Sequence, residues 1–521
     1  MKNKLKKKYN EILIKYFGYK ELKREQQKII YNIVEKKKDV LAVLATGFGK
    51  SVCYQIPFLL TQKCVIVISP LISLIQDQMK QLKELNIPTC SFSDSSWKNS
   101  IKGDILKGNY KIIYMTPESC IINTDFIEEL YEENGITCFA IDESHCVSQW
   151  SDKSFRPEYG ELNILREIAP EIPILALTAT ASHKIQTDII KTLDMIDPYK
   201  ITSSFDRPNL YIEVDRKTND IELDLKHILM EHKNESTIIY TKTRKMTTQV
   251  SDSIGEFGIK SLPYHAGLDT NERKEIQRKF MNNEIKVIVA TIAFGMGINH
   301  KNIRLVIQYG CSSSLEAYYQ EIGRAGRDGN TSKCYMFYSG KDFRLNRYFL
   351  KDLVDEDKKK YREKEIVKLE KFVYSTECRR KLVLSHFGEE HSGDCKNCDN
   401  CNSKEKMKSY DFTMYAVMLF NIMKKLNNTY GSQQYILILR GSKSKKINKN
   451  MMIMSEYNKG KDKSEKWWKE LIRLFIANSY IYEESITNGF GSRLKMAELA
   501  YDFLNRQSRL KLNVKNDFLK L

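Results

Sequence analysis

A lysine and a serine follow a short apolar run at the point where a helix is predicted to begin. In this stretch, LAVLATGFGKSVCYQIP, Gly47 and Gly49 let the backbone wrap closely around phosphate groups. Lys50 can reach the outer phosphates of a nucleotide and Ser51 can bind Mg²⁺, while the helix N-terminus offers free N–H groups. The strict phosphate-loop pattern has glycine where this chain has Leu44. A plain glycine-rich turn is therefore the alternative interpretation.

Two carboxylates end a second apolar run, ITCFAIDESH. In parallel sheets, ligands bind at the carboxyl ends of the strands, which is where Asp142 and Glu143 fall. Asp142 is expected to bind Mg²⁺ directly or through water, and Glu143 is expected to orient and deprotonate an attacking water. An exposed acidic strand end is the alternative, but Lys50 on a preceding strand of the same sheet favours the nucleotide site.

Two arginines lie three residues apart in YYQEIGRAGRDG. If the segment is helical, Arg324 and Arg327 share one face. Arginines that come from a second domain can stabilise charge on the γ-phosphoryl group in the transition state. A surface helix with solvated arginines is the alternative, but it leaves Gly323, Gly326 and Gly329 unexplained.

The elements that must position these side chains are parallel strands alternating with helices. From about residue 38 to about residue 310, continuous apolar runs such as CVIVISP and IKVIVATIA are separated by helical patterns, which is typical of parallel strands buried on both faces. We predict two tandem doubly wound α/β domains at 1–205 and 206–340. A helical subdomain follows at 341–403, and a smaller domain follows at 404–521.

The 521-residue chain carries a net charge of +18, and residues 403–521 contribute +12 of it from 23 basic and 11 acidic side chains. This excess favours a polyanion as partner, either nucleic acid or an anionic membrane. A lysine-rich composition that only aids solubility is the alternative. The sequence has no apolar run near the roughly 18–20 residues that span a bilayer and no signal-peptide pattern. We expect an intracellular protein, in the nucleus or the cytoplasm.

Four of the twelve cysteines are grouped, whereas eight are scattered singly, as free thiols in a reducing compartment would be. The grouped residues are Cys378, Cys395, Cys398 and Cys401. Four thiolates at this spacing predict a closed tetrahedral Zn²⁺ site, which is structural rather than catalytic. A disulfide framework conflicts with the reducing compartment. His386 and His391 are spare ligand candidates.

Nine short motifs occur in order along the chain: FGYKELKREQQKII, ATGFGKS, SPLISLIQDQ, YMTPE, DESH, LTATA, YHAGL, VATIAFGMGIN and QEIGRAGRDG. This ordered set resembles the superfamily 2 helicases, and most closely the RecQ family of DNA helicases. The resemblance runs from the first motif to at least Cys401 and continues in weaker form to the end. It implies two RecA-like domains, the zinc-binding subdomain and a winged-helix module.

The resemblance implies further residues of an ATP site. Tyr19 and Gln26 match positions that sandwich and recognise adenine. Lys23 stands where the family usually has arginine, which keeps the charge but loses a flat stacking group. Thr46 lies in the nucleotide-binding motif ATGFGKS. Gly297 matches a motif that links the second domain to nucleotide and DNA.

The same resemblance implies DNA contacts soon after the two carboxylates. Trp150, Phe155 and Arg156 match an aromatic-rich loop whose rings stack on bases and whose arginine meets the strand. Packing of the Trp and Phe in the core is the alternative. Between the two aromatic residues this chain has SDKS, one residue more than the family usually has. The control of ATP hydrolysis by DNA is the property that this insertion puts in question.

The C-terminal segment resembles the winged-helix module that follows zinc in RecQ proteins. Its basic turn, suited to phosphate contacts without base specificity, consists of Arg440, Ser442, Lys443, Lys445 and Lys446. A solvated loop is the alternative. TNGFGSR carries an Asn-Gly hairpin signal, and Phe490 would form a strand-separating tip if that hairpin is the wing.

The leading hypothesis is an ATP-dependent 3′-to-5′ DNA helicase of RecQ type that uses ATP, Mg²⁺ and structural Zn²⁺. It is expected to act on single-stranded and forked DNA in repair, recombination or replication, as a monomer and without a membrane partner. A DExH RNA helicase is one alternative, which the zinc cluster and the aromatic loop argue against. A non-catalytic DNA-binding scaffold is another, which the complete set of catalytic residue types argues against.

Overall fold

The computed structural model describes residues 3–92, 99–147, 156–218, 220–295, 300–351, 353, 355–403, 408–485, 492–514 and 518. Trp150, Phe155, Gly297 and Phe490 lie outside these residues, so their roles stay predictions. Within the described ranges, no helix combines the length and the apolar character that crossing a membrane requires.

The first domain is built on a seven-stranded parallel sheet with strand order β3-β4-β2-β5-β6-β1-β7. Alternate residues of β1 enter different apolar cores, Leu41 and Val43 on one face and Val40 and Ala42 on the other. The sheet is therefore covered on both faces, which explains the continuous apolar runs. The strands are β1 Val40–Val43, β2 Cys64–Ile68, β3 Thr89–Phe92, β4 Ile112–Met115, β5 Ile136–Ile141, β6 Ile174–Thr178 and β7 Tyr199–Thr202.

Two helices of this domain precede β1, and the others lie between the strands along the chain. They are α1 Asn3–Phe17, α2 Arg24–Val34, α3 Val52–Thr61, α4 Ile72–Glu84, α5 Asn99–Leu106, α6 Pro117–Ile122, α7 Thr124–Asn134, α8 Ile164–Ile168 and α9 His183–Thr192. A short 3₁₀ helix spans Pro157–Glu161.

The second domain repeats the plan with a six-stranded parallel sheet of order β10-β11-β9-β12-β13-β8. Its strands are β8 Leu210–Arg216, β9 Ser236–Tyr240, β10 Ser261–Tyr264, β11 Val287–Ala290, β12 Ile303–Tyr309 and β13 Ser332–Tyr338. Its helices are α10 Ile221–Glu231, α11 Arg244–Glu256, α12 Thr270–Met281 and α13 Leu315–Ile322. The predicted tandem α/β architecture is confirmed.

A helical subdomain follows the second sheet and docks on its edge strand β8. Arg380 donates to Leu210 O at 2.9 Å, and Cys398 pairs with Ile212 in an isolated bridge. The subdomain is thus fastened close to the connection between the two sheets. Its helices are α14 Gly340–Tyr348, α15 Glu356–Tyr374, α16 Arg379–His386 and α17 Asp399–Asn402.

The C-terminal module has its own core, in which Trp467 and Trp468 are both buried. Trp468 Nε1 donates to Gly460 O at 2.9 Å, so the ring is satisfied as well as packed. Its helices are α18 Thr413–Lys425, α19 Ser432–Leu439, α20 Lys449–Met452, α21 Glu465–Ala477 and α22 Glu498–Arg506. Its antiparallel pairs are β14 Lys408–Asp411 with β17 Lys511–Val514, and β15 Ile481–Ser485 with β16 Ser492–Met496.

Candidate nucleotide site between the two parallel sheets

The phosphate loop, residues 44–51, connects β1 to α3 at the carboxyl end of the first sheet. Gly47 and Gly49 have φ values of 81° and 91°, which residues with side chains rarely adopt. Leu44 is fully buried, and its N–H donates to Thr178 O of β6 at 2.9 Å. The position where the strict motif has glycine therefore continues the pairing of β1 with β6.

Lys50 and Glu143 meet at this edge of the sheet. Lys50 Nζ lies 3.3 and 3.4 Å from the two carboxylate oxygens of Glu143. Asp142 is buried at the end of β5, and its Oδ1 accepts the Glu143 N–H at 3.0 Å. Glu143 has a φ of 49°, a left-handed backbone that is uncommon for glutamate and often marks functional sites.

The two carboxyl groups have opposite net pKa shifts. Burial, followed by the neighbouring Glu143, raises the pKa of Asp142 to about 6. Burial alone would also raise the pKa of Glu143, but Lys50 and His145 outweigh it and hold that pKa below its ordinary value. Two carboxyl groups whose environments separate their pKa values are typical of catalytic sites.

A hydrogen-bonded chain links these carboxylates to the second domain. His145 Nδ1 lies 3.0 Å from Thr178 Oγ1 and 3.4 Å from a Glu143 oxygen. Gln320 of α13 donates to Thr180 Oγ1 at 2.6 Å, and its Nε2 lies 3.2 Å from His145 Nε2. Burial lowers the pKa of His145, which favours the neutral ring whose Nε2 accepts from Gln320. The position of the second domain is thus coupled to Glu143 through polar contacts.

Arg327 lies in the turn after α13 and faces the phosphate loop. A Cβ placed on Gly47 would lie 3.5 Å from Arg327 Cγ, and one placed on Gly323 would lie 2.9 Å from Thr46 Oγ1. The two loops therefore touch across the interface, and at Gly323 a side chain would be too close to Thr46 unless one of them shifted. Residues 323–330, which follow α13, are called the arginine turn below. The structure brings this turn together with the phosphate loop, and the sequence predicted that both act on one nucleotide.

The arginine turn brings the guanidinium groups of Arg324 and Arg327 close together. Arg324 donates to Gly295 O, and its Nε is buried without a hydrogen-bond partner among the described residues. Burial, followed by the nearby Arg324, lowers the pKa of Arg327 to about 10. The buried Nε of Arg324 lacks an acceptor among the described residues, and the charged form of Arg327 beside it is disfavoured. A phosphate group would supply an acceptor and a negative charge to both.

The predicted adenine side is organised around Phe48, which the sequence interpretation missed. Lys23 Nζ lies 4.2 Å from the centre of the Phe48 ring and 3.1 Å from its carbonyl oxygen. Gln26 Nε2 donates to Phe48 O at 3.2 Å and to Gly49 O at 3.0 Å. Burial lowers the pKa of Lys23. Tyr19 is exposed, with 56% of its surface accessible, so one ring is available for stacking.

Arg156 is the described residue of the predicted aromatic-rich loop. Its guanidinium donates to Pro70 O and lies 3.4 Å from Glu118 Oε1. Pro70 is the second residue of the motif SPLISLIQDQ, which follows β2, so Arg156 lies over the carboxyl edge of the first sheet.

The four grouped cysteines converge as predicted. The Sγ atoms of Cys378, Cys395, Cys398 and Cys401 all lie within 4.8 Å of one another. Cys395 Sγ and Cys401 Sγ are 3.9 Å apart, close to the separation of about 3.8 Å that tetrahedral Zn–S bonds of roughly 2.3 Å require. Four thiolates fit Zn²⁺ in a closed structural site, and the predicted zinc cofactor is confirmed.

His386 belongs to a separate buried group that joins three helices. Its Nε2 lies 2.7 Å from Glu316 Oε1 and 3.9 Å from Glu365 Oε2, and Lys368 pairs with Glu365 at 2.8 Å. Burial alone would raise the pKa of Glu316, but the bond to His386 outweighs it and lowers the pKa to about 2. Each carboxylate has a basic partner, so this group fastens α13, α15 and α16 together.

The basic turn lies between α19 and α20 and is held by main-chain contacts. Arg440 Nε donates to Lys463 O at 3.1 Å, and Tyr457 OH donates to Ser442 O at 3.1 Å. The side chains that it exposes to solvent include Arg440, Lys443, Lys445 and Lys446. The turn is therefore a shaped cationic surface rather than an unconstrained loop.

Arg207 is a second residue that the sequence interpretation missed. It lies in FDRPNLYIEV, where the sequence predicts only a junction between domains. Its guanidinium reaches Thr46 O at 3.3 Å and Gly326 O at 2.9 Å. Its partners are main-chain carbonyls, which residue types do not reveal. The only signal in the sequence was a basic residue beside Pro208 at the junction between the domains.

Four family models match the chain in this order. They are the DEAD/DEAH box helicase over residues 23–188, the helicase conserved C-terminal domain over 221–329, the RecQ zinc-binding domain over 340–402 and the RQC domain over 406–520. The fold is also similar to that of a DEAD-box helicase, Mss116, bound to single-stranded RNA. That structure has a TM-score of 0.52 and 20% identity, and the match covers 67% of this chain and 78% of the other.

Curated relatives match nearly the whole chain. A Mus musculus protein named bifunctional 3′-5′ exonuclease/ATP-dependent helicase WRN is 41% identical over 90% of this chain, which spans 35% of that relative. A protein of Acanthamoeba polyphaga mimivirus, named as an ATP-dependent RNA helicase, is 39% identical over 93% of this chain and 89% of its own length. The ATP-dependent DNA helicase RecQ of Pasteurella multocida is 36% identical over 96% of this chain and 79% of its own length. The chain therefore belongs to the RecQ family of ATP-dependent DNA helicases.

Proposed function

We propose that this chain couples ATP hydrolysis to 3′-to-5′ movement along single-stranded DNA and so separates the strands of forked duplexes. The observation that carries the proposal is the meeting, between the two sheets, of Lys50 and Glu143 from one domain with Arg324 and Arg327 from the other. A site shared by two domains is completed when they close and is taken apart when they open. Hydrolysis can therefore drive a domain movement.

In the proposed mechanism, Lys50 exchanges partners when the nucleotide binds. It now pairs with Glu143 at 3.3 Å, and it turns to the β- and γ-phosphates when these are present. Ser51 and Asp142 would hold Mg²⁺, which would neutralise phosphate charge when bound. Glu143 then loses the cation that holds its pKa low, so it becomes a stronger base toward the attacking water.

Arg324 and Arg327 complete the proposed mechanism from the second domain. As negative charge develops on the γ-phosphoryl group, their guanidinium groups donate to its oxygens. The two buried cations then gain an anionic partner. Arginines in this role are worth about 10³- to 10⁵-fold in turnover. Gln320 moves with the second domain, and its hydrogen bond to His145 links that movement to Glu143.

On the DNA side, we propose that the basic turn binds duplex phosphates while Trp150, Phe155 and Arg156 contact the strand near the carboxylates. Stacking of bases on aromatic rings is worth roughly 1–3 kcal/mol per base and needs no sequence readout. These contacts support a helicase that acts on DNA of any sequence.

We also propose the boundaries 1–205, 206–340, 341–403 and 404–521 as those of four folding units.

The basic turn is expected to set the salt dependence of duplex binding. Changing Lys443 and Lys445 together to glutamine removes two cations, so the slope of log affinity against log salt should fall by about 2, since each phosphate contact contributes roughly 0.9. Fluorescence anisotropy on a labelled duplex measures the slope. Lys333→Gln, at the amino end of β13 and paired with Glu231, should leave it unchanged. Equal slopes in all three proteins would remove the basic turn from the interface.

The strand-displacement assay tests the function itself. Duplexes with a 3′ single-stranded tail should be opened in the presence of MgATP, and duplexes with only a 5′ tail should not. The name of the mimivirus relative favours a second candidate, an RNA helicase, which predicts displacement from tailed RNA duplexes instead. Opening from the 5′ tail alone would contradict the proposed direction.

A further inference from the structure

Arg207 connects the phosphate loop of the first domain to the arginine turn of the second. It lies between β7 and β8, so it belongs to the connection between the sheets. One terminal nitrogen reaches Thr46 O at 3.3 Å and Gly323 O at 3.5 Å. The other donates to Ala325 O and Gly326 O, each at 2.9 Å. One planar cation thus bridges both halves of the nucleotide site.

The acceptors around Arg207 explain why arginine stands there. Three of its four carbonyl partners follow α13, whose C-terminal end carries a partial negative charge that favours a cation. The Nε group lies 3.3 Å from the amide oxygen of Asn209. Burial lowers the pKa of Arg207, so the fold accepts a desolvation cost to keep this cation in place. Lysine offers fewer fixed donors and cannot reproduce the planar geometry.

We propose, on the basis of the function proposed above, that Arg207 is a positioning residue that sets Arg327 against the phosphate loop for ATP hydrolysis. The acceptors of its guanidinium group are four main-chain carbonyls and Asn209 Oδ1. Its bond to Thr46 O fixes one end of the bridge on the loop that holds the phosphates. Its bonds to Ala325 O and Gly326 O fix the other end on the residues immediately before Arg327.

Asn209 provides a matched control within the same connection. Its Nδ2 donates to Gly326 O and to Asn330 O, each at 2.9 Å. It therefore supports the arginine turn from the same side as Arg207. Among the described residues, its side-chain hydrogen bonds reach the arginine turn and Arg207 Nε but not the phosphate loop. Asn209→Ala therefore removes support of the turn and one acceptor of Arg207, and it leaves the link from Arg207 to Thr46 O in place.

The test compares DNA-stimulated ATPase kinetics of Arg207→Gln, Asn209→Ala, Arg327→Ala and the double variant Arg207→Gln/Arg327→Ala. Arg207→Gln should lower kcat by about 10- to 100-fold, the loss that a misplacement of roughly 1 Å produces. KM for ATP should change by less than about threefold, because ground-state binding is kept. Asn209→Ala should keep kcat within about threefold and lose thermal stability comparably to Arg207→Gln.

The double variant distinguishes positioning from general support. If Arg207 acts through Arg327, the double variant should be no slower than Arg327→Ala alone, because coupled residues are not additive. A multiplicative loss in the double variant, an unchanged kcat in Arg207→Gln, or equal kcat losses in Arg207→Gln and Asn209→Ala would each overturn the proposal. Full turnover in Arg327→Ala would instead refute the arginine role in the proposed function, so the two failures are distinguishable.

Discussion

Glu143→Gln is expected to lower ATP turnover by about 10²- to 10⁴-fold, the contribution of a positioned general base. Binding of MgATP should be retained or tightened. In the structure, the Glu143 carboxylate holds Lys50 at 3.3 Å and so competes with phosphate for it. Glutamine keeps the shape and removes that competition. Single-turnover hydrolysis and binding of a fluorescent ATP analogue measure the two effects separately.

Glu161→Gln is the control for this experiment. It makes the same chemical change at an exposed carboxylate of the 3₁₀ helix Pro157–Glu161 and should leave turnover intact. Turnover by Glu143→Gln at the rate of the unaltered protein would show that another group deprotonates the water. Loss of MgATP binding in that variant would assign Glu143 to the binding site instead.

Cys398→Ser is expected to release the zinc and unfold the segment around residues 378–401. Cys398 is fully buried and also pairs with Ile212 of β8, so its loss reaches the edge of the second sheet. Structural zinc sites contribute apparent binding free energies of about 10–16 kcal/mol, which here would be folding free energy. Metal analysis should show a fall from about one zinc per chain to near none, since a closed site needs all four thiolates. Limited proteolysis should cut this segment.

Cys120→Ala removes a buried thiol of the first domain that lies outside the cluster, and it should retain the zinc. The same proteolysis pattern is then expected as for the unaltered protein. A full complement of zinc in Cys398→Ser would exclude that residue as a ligand. Zinc loss without new proteolytic sites would show that the segment folds without the metal.

The meeting of Lys50 and Glu143 could be predicted from sequence because the carboxyl ends of parallel strands share one edge of a sheet. The convergence of the four cysteines follows for a similar reason, since ligand spacing in the chain limits the arrangements that one ion can join. Both predictions depend on side chains whose chemistry is visible in the residue type.

Other features of the site depend on contacts that residue types do not reveal. Arg207 binds main-chain carbonyls of both domains, and Phe48 receives Lys23 on its ring and its carbonyl. His386 resembled a spare zinc ligand in the sequence, but it pairs with Glu316 of the second domain. In each case the partner is distant in the chain and is set by how the domains pack.

The contribution of Trp150 and Phe155 also depends on more than the sequence motif. They follow Glu143 closely in the chain and lie outside the described residues, and the sequence predicts that their loop is one residue longer than is usual in the family. Among the described residues, Arg156 at the end of this loop is held by Pro70 O and by the carboxylate of Glu118, and not by Asp142 or Glu143. The ratio of DNA-stimulated to basal ATPase activity therefore measures a property of this chain that the motif alone does not fix.

Strand displacement on matched forked DNA and forked RNA duplexes, with and without ATP, measures the proposed helicase activity directly. The intact protein should open the DNA fork in the presence of MgATP and leave the RNA fork closed. Lys50→Ala, which lacks the group that reaches the phosphates, should leave both forks closed. If Lys50→Ala opened the DNA fork at the rate of the intact protein, the assigned nucleotide site would be wrong. If the intact protein opened the RNA fork alone, the proposed DNA helicase activity would be wrong.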